Sequence, residues 1–407
     1  MLIIFEIIYI FLLFFSAYYI VFHLFYWFEG EKFAGKKKIR EKNLPGVSIV
    51  VPAYNEEKII GKTIKKLKEI NYPKNKLEII VVDDGSTDKT YEIAKKFASK
   101  RVKVFKKSRG GKASALNFGV KKSKNNFVAV IDADSFLEKD ALLNCMKYFD
   151  KDVAAVTSTV LIARKKTFFE RMQSLEYMFT ASMRKAEEFP NVIGATPGAM
   201  SVYRKNVLEK IGYFDEENLT EDIEIAWRII AYGYKIRMSL ESKVYSFVPS
   251  NFKKWLRQRV RWTIGGFQTL FKHVKSLNKK SYGLGTFLLP FSILGYLGSF
   301  VGIGIFMVLL GLSTFDFLTF LGKSFSLGLN PFTRWELVFN PDIKFILGVI
   351  TFLLAMVWLR ISLKQHSYKL NFFELLCFIT IYAFLAPIIL IIGAYKYLKG
   401  ERRWFTK

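Results

Sequence analysis

Two carboxylates with one residue between them, Asp132 and Asp134, lie within the apolar run VAVIDADSFL at 128–137. In an extended chain side chains alternate, so both would point to the same face. Two like charges that close repel, and one is driven to keep its proton unless a cation lies between them. Other polar groups stand at comparable places. Pro52-Ala53-Tyr54-Asn55-Glu56 ends one apolar run, Asp83-Asp84-Gly85-Ser86 ends a second, and Arg109-Gly110-Gly111-Lys112 opens a helical pattern. Further on come Thr220-Glu221-Asp222 and the set Gln258, Arg261, Trp262, whose i, i+3, i+4 spacing shares one helix face. Singly these signals are weak: Asp-Asp-Gly-Ser reads as an ordinary turn and Gly110-Gly111 as a plain helix entry.

The elements that must position these groups alternate. Buried strands are expected at 47–54, 77–84, 102–105 and 127–134, with helices at 56–70, 87–99 and 112–122. That order implies a mostly parallel, doubly wound α/β sheet, whose ligands sit beyond the carboxyl ends of the strands. Tyr54, Glu56, Asp83, Asp84, Lys112, Asp132 and Asp134 all fall on that edge. No G-x-G-x-x-G follows the first strand, which excludes the dinucleotide fingerprint.

The chain has 407 residues, 51% of them hydrophobic, and a formal net charge of +27. The apolar content gathers at the ends. Residues 2–28 are long enough to span a bilayer, which takes roughly 20 apolar residues. They lack a basic start and a small-residue cleavage site, so a retained helix is expected rather than a signal peptide. Further spans are expected at 286–312, 344–362 and 373–395, with 313–330 as a re-entrant or additional crossing. Lys36, Lys37, Lys38, Arg40 and Lys42 after the first span read as a cytoplasmic flank. Four spans would then leave the basic tail KYLKGERRWFTK outside, against the same rule. The remaining basic excess reads as solvated helix faces and contact with anionic lipid, and no nucleic-acid motif is present. Cys145 and Cys377, the only cysteines, sit in no metal spacing and fit a reducing compartment. His23, His273 and His366 share no ligand spacing and read as incidental.

VSIVVPAYNEE, VVDDGSTD, GGKASALN, DADS, TED and QRVRW resemble, in this order, the signatures of family 2 glycosyltransferases with the GT-A fold. The resemblance covers residues 46 to about 275. LTEDIEIAWRIIAYGYKI and WLRQRVRWTIGG are most similar to processive membrane synthases of cellulose, hyaluronan, chitin and poly-N-acetylglucosamine. It implies a cytoplasmic GT-A domain (Rossmann-like, mostly parallel sheet) at 46–250, after an amino-terminal span at 1–30. An interfacial helix at 251–280 and membrane helices at 281–400 would follow.

The resemblance also implies roles. Asp132 and Asp134 would hold Mg²⁺ or Mn²⁺ against the donor diphosphate, as hard oxygen ligands do. Tyr54, Glu56, Asp83 and Asp84 match positions that hold uracil and ribose, and Lys112 would lie near uracil or phosphate. Asp222 matches the catalytic base; locally, Thr220 also reads as an N-cap with acids favouring the first turn. Gln258 and Arg261 would bind the leaving diphosphate, while Trp262, with Glu221, would meet the acceptor. The flanking Lys253, Lys254, Trp255, Arg257 and Arg259 read as a basic face on the membrane. Residues 167–188 resemble a second interfacial helix, and 196–205 an acceptor-side loop.

The implied protein is a membrane-embedded, metal-dependent inverting enzyme that extends a β-linked polysaccharide from UDP-N-acetylglucosamine or UDP-glucose. The nearest alternative is a single transfer to a lipid, such as polyprenyl phosphate, diacylglycerol or ceramide. A transporter or scaffold that only binds a nucleotide would need no base, and the spans carry few ionisable groups for transport. Any accessory subunit is left open.

Overall fold

The computed structural model describes residues 2–33, 44–278, 283–330, 342–368 and 371–401. The basic flank at 36–42 and the end of the tail lie outside these residues. The chain divides into two compact units, Met1–Phe25 with Phe291–Ile361, and Tyr26–Pro290 with Ser362–Lys407.

The larger unit is built on an eight-stranded sheet with the order β3-β2-β1-β4-β7-β6-β8-β5. Its elements are β1 (Val47–Ala53), α2 (Ile60–Lys68), β2 (Leu77–Asp83), α3 (Thr90–Lys95), β3 (Val102–Lys106), α4 (Lys112–Lys122) and β4 (Phe127–Val130). Then come β5 (Ser135–Leu137), α5 (Ala141–Met146), β6 (Val153–Ile162), α6 (Phe168–Glu187), β7 (Ser201–Arg204) and α7 (Lys205–Lys210). α8 (Glu221–Ala231), β8 (Lys235–Ser246), α9 (Phe252–His273) and α12 (Phe372–Leu398) complete it. β3, β2, β1 and β4 run parallel, and β7 runs against both neighbours.

Every residue of β1 and β2 is buried, as continuous Val/Ile runs in a sheet covered on both faces require. The polar exceptions answer each other: Ser48 donates to Glu78 at 2.7 Å, and Lys103 pairs with Glu78 at 2.7 Å. Burial opposes the Glu78 charge, but those two partners hold its pKa below the usual carboxylate range. A Cβ on Gly119 would come within 2.3 Å of Val50, so α4 lies directly on β1.

The fourth strand departs from its expected length. β4 ends at Val130, and Ser135 N–H donates to the Asp132 carbonyl at 3.0 Å across a turn. Asp132 and Asp134 therefore share a turn rather than one face of a strand, because the chain must reverse to pair β5 with β8.

The smaller unit holds α1 (Leu2–Phe33) up to Phe25, α10 (Leu289–Ser326) from Phe291, and α11 (Ile343–Gln365) up to Ile361. Phe15 stacks on Phe291 at 5.1 Å, and a Cβ on Gly298 would lie 2.8 Å from Leu12. Residues 313–326, expected as a re-entrant or additional crossing, continue α10 without a break, since no Pro or helix-breaking turn interrupts them. Four helices among the described residues are long and apolar enough to cross a membrane. One of these, α12, packs on α9 through a cluster containing Trp255, Val260, Ile264 and Ile389.

Candidate active site

The first two strands deliver their polar ends as a hydrogen-bonded cradle. Asn55, at φ 54° in the left-handed region that Asn tolerates, donates its N–H to Ser86 Oγ at 2.9 Å. It accepts from Thr87 N–H at 2.9 Å. Glu56 N–H donates to Thr90 Oγ1 at 2.7 Å. Gly85 has φ 74°, and a Cβ there would sit 2.9 Å from Arg109 N, so the two loops meet backbone to backbone.

The adjacent aspartates differ. Asp84 accepts from Lys107 Nζ at 2.9 Å and from Gly110 and Gly111 N–H at 3.0 and 2.7 Å. Its carboxylate thus holds the 107–111 loop. Asp83 is 0% exposed, accepts from Ser86 N–H at 3.3 Å through Oδ2, and leaves Oδ1 without a protein partner. A buried acceptor without a donor is costly and fits a ligand N–H or hydroxyl. Tyr54 lies beneath Arg109, whose guanidinium is 3.5 Å from the ring centroid. Arg109 belongs to this edge although the motif reading assigned it nothing; the Arg-Gly-Gly-Lys string was its signal.

Lys112 joins the motifs. It opens α4 after Gly111, at φ 93°. Its Nζ reaches Asp132 Oδ1 at 2.7 Å and Glu221 Oε1 at 3.0 Å. Burial disfavours the ammonium, but Asp132, Glu221 and Asp222 outweigh that and raise its pKa above the usual lysine range. Gly198 makes room for this junction: a Cβ would fall 2.4 Å from Lys112 Nζ and 3.2 Å from Asp132 Oδ1. The resemblance at 196–205 covers Gly198 but gives it no role of its own, because that role is empty space.

The carboxylates here are short of positive partners. Burial, then Asp132 and Glu56, push Asp134 up to about 7 against the pull of Lys112. Burial and Glu221 push Asp222 up to about 6, against Lys112 and Arg261. Asp132 and Asp134 suit a hard divalent cation, which would relieve that excess charge. No group of three or more His, Cys, Asp or Glu ligands converges among the described residues. Such an ion would complete its shell from phosphate and water, as Mg²⁺ commonly does.

α9 fixes the TED segment. A Cβ on Gly265 would lie 2.2 Å from Thr220 Oγ1. Asn218 donates to Thr269 Oγ1 at 3.0 Å, and Leu219 N–H to Gln268 Oε1 at 2.9 Å. Thr220 occupies the N-cap position of α8, but its hydroxyl donates to Asn218 Oδ1 at 3.1 Å instead of capping. Asp222 Oδ1 accepts from Ile223 N–H at 3.0 Å in that first turn, and the N–H and hydroxyl of Thr196 both donate to the Asp222 carbonyl at 3.0 Å. Arg261 donates to the Leu219 carbonyl at 3.4 Å, and Gln258 Oε1 is buried without a protein partner.

The flank of QRVRW splits. Lys253, Lys254 and Arg257 are exposed, whereas Trp255 and Arg259 are 2% and 7% exposed. Those two do not belong to a membrane-facing basic stripe, because Glu176 and a ring cluster bury them. His273 is likewise not incidental: its Nε2 lies 3.3 Å from the buried Glu224.

Known proteins resemble this chain over parts of its length. Residues 48–212 match the profile of Glycosyl transferase family 2. A poly-beta-1,6-N-acetyl-D-glucosamine synthase from Staphylococcus epidermidis is 30% identical over 270 residues, 64% of this chain and 65% of that protein. The same-named enzyme of Staphylococcus aureus is 29% identical over 274 residues, 65% of this chain and 66% of that protein. Both alignments span just under two thirds of those relatives. A mannosyltransferase from Pyrobaculum calidifontis, solved with GDP-Man and Mn²⁺, aligns over 97% of this chain and 99% of its own. Its TM-score is 0.65 and its identity 20%, a likeness of fold. Residues 48–212 thus resemble a family 2 glycosyltransferase domain, in a chain with a GT-A-like fold and long apolar helices.

Proposed function

We propose that this protein is a multi-pass membrane glycosyltransferase with its catalytic domain in the cytoplasm. It moves N-acetylglucosamine or glucose from a UDP-sugar onto a growing β-linked polysaccharide with inversion, and its apolar helices help form the path of the polymer. The observation that carries this reading is the junction at Lys112, which pairs with Asp132 and Glu221 beside Asp222. One ammonium thereby adjoins a carboxylate pair suited to a metal–diphosphate and a carboxylate suited to a base.

In this reading Asp222 takes the acceptor hydroxyl proton as that oxygen attacks the anomeric carbon opposite the leaving group. The bond from that carbon to the diphosphate oxygen breaks, and its electron pair leaves with the nucleoside diphosphate. Lys112 and Arg261 donate to the charge that develops, while Gln258 positions the same group. Asp132 and Asp134 would hold Mg²⁺ or Mn²⁺, which would supply positive charge to the departing diphosphate. Asp83 Oδ1, Glu56 and the Tyr54 ring receive base and ribose, with Asp84 acting through the loop it holds. Trp262 and Glu221 line the acceptor side. The relatives' name favours N-acetylglucosamine and a polymer.

A second reading, single transfer to a lipid acceptor, is favoured by one feature. Only four helices among the described residues are long and apolar enough to cross a membrane, few for a polymer path. Purified protein with Mn²⁺ or Mg²⁺ and radiolabelled UDP-N-acetylglucosamine, UDP-glucose or GDP-mannose separates the two. A high-molecular-weight ladder lost in Asp222→Asn and Asp134→Ala supports the synthase. Label confined to an organic extract supports the lipid transferase. Equal turnover by wild type and Asp222→Asn overturns both.

A further inference from the structure

α9 presents two arginines in QRVRW, and they serve different neighbours. Arg261 influences Asp222, whereas Arg259 forks onto Glu176 of α6, with both terminal nitrogens 2.6 Å from its two oxygens. The Arg259 guanidinium also lies over Trp262, 4.2 Å from the ring centroid, and 5.6 Å from that of Trp255. Glu176 accepts a further hydrogen bond from the phenol of Tyr382 on α12. Tyr382 stands edge-on to Trp255 at 5.8 Å. Toward the other end of α12, a Cβ on Gly393 would lie 2.5 Å from Thr263 Cγ2, next in sequence to Trp262. An apolar helix is thus held to the helix of Trp262 at two points, about 16 Å apart along its axis.

We propose that the relay Tyr382–Glu176–Arg259 is a positioning device that holds the Trp262 indole as the acceptor platform and ties that platform to α12. The inference rests on the reading that Trp262 meets the acceptor. Three features carry it. A forked guanidinium–carboxylate pair fixes orientation as well as distance. Replacing a buried ion pair by apolar packing is often neutral or stabilising, so stability alone does not explain its place among aromatic rings. Finally, Arg259 covers one face of Trp262, so a ligand can stack only on the other.

The test uses the full chain labelled with 5-fluorotryptophan, in detergent, with the Trp262 signal assigned by its loss in Trp262→Phe. Tyr382→Phe removes one hydroxyl in contact with Glu176, and Arg259→Lys keeps the charge but loses the fork. Both should move the Trp262 fluorine resonance while tryptophans outside the cluster keep theirs. Kinetically, both should raise the acceptor KM about tenfold, the size of one charge-assisted hydrogen bond, with donor KM unchanged. The double variant should be no worse than Arg259→Lys alone, because the two act through one chain of contacts. An unmoved Trp262 signal in folded variants, or equal losses for donor and acceptor, overturns the proposal. A wild type that transfers no sugar overturns the functional reading instead, and the fluorine spectrum still decides the positioning role.

Discussion

Helix α8 carries two carboxylates two residues apart that meet opposite environments. Asp222, in its first turn, is half-buried, faces Glu221, and is pushed up to about 6 by burial and that neighbour. Glu224 is 0% exposed, yet it is held down to about 2. Burial opposes its charge too, but Arg228, Lys272 at 2.8 Å and His273 at 3.3 Å surround it. Burial alone therefore does not mark a reactive group. A carboxylate supplied with cations is a fastener between α8 and α9; one left short of them is able to take a proton.

That contrast can be broken from either side. Asp222→Asn should lower transfer by about 10²–10⁴-fold, the usual weight of a general base. Its melting temperature should stay level, because an amide relieves repulsion with Glu221. Glu224→Gln should act the other way, costing about 3–5 kcal/mol by leaving the largely buried Arg228 without its carboxylate, while Lys272 keeps Asp215 at 2.6 Å. A large fall in melting temperature, with residual turnover per folded molecule near wild type, would bear that out.

A pH series sharpens the comparison. A base must be unprotonated to act, so transfer should rise with pH through about 6, where Asp222 loses its proton. Glu224 has a depressed pKa, so its stabilising contribution is complete above the ordinary carboxylate value of about 4.3. That contribution is lost as pH falls through about 2. Activity should therefore disappear on acidification well before the melting temperature drops. The smallest effect belongs to Gly198→Ala. Its methyl would crowd Lys112 and Asp132, and moving that ammonium should cost about tenfold in turnover, roughly 1.4 kcal/mol, with little loss of stability.

Much of the scaffold was legible from pattern. The span of α4, Lys112–Lys122, coincides with the expected helix because a positive-φ glycine precedes it and its apolar spacing is regular. β1 and β2 begin where predicted and end within a residue, as continuous β-branched runs should. The misreadings share a cause. β4 looked extended to Asp134, Thr220 looked like a cap, and Arg259 looked like a membrane-facing cation. In each case a residue distant in sequence decided the outcome: the β5–β8 pairing, Asn218 held by Thr269, and Glu176 on α6.

The order of apolar runs, polar strand ends and helix starts determined by itself that motif residues would gather on one sheet edge, because alternation admits few topologies. It also set the four long apolar helices among the described residues, since length and hydropathy are local properties. Which carboxylate would be starved and which satisfied was decided only by the tertiary structure. Asp222 and Glu224 are nearly the same chemistry at nearly the same place in the chain. Their difference comes from cations at residues 228 and 272 and a ring nitrogen at 273, against Arg261 and a lysine at 112 divided between Asp132 and Glu221. Electrostatic free energy depends on distance and burial in space, and neither is written in the spacing of the sequence.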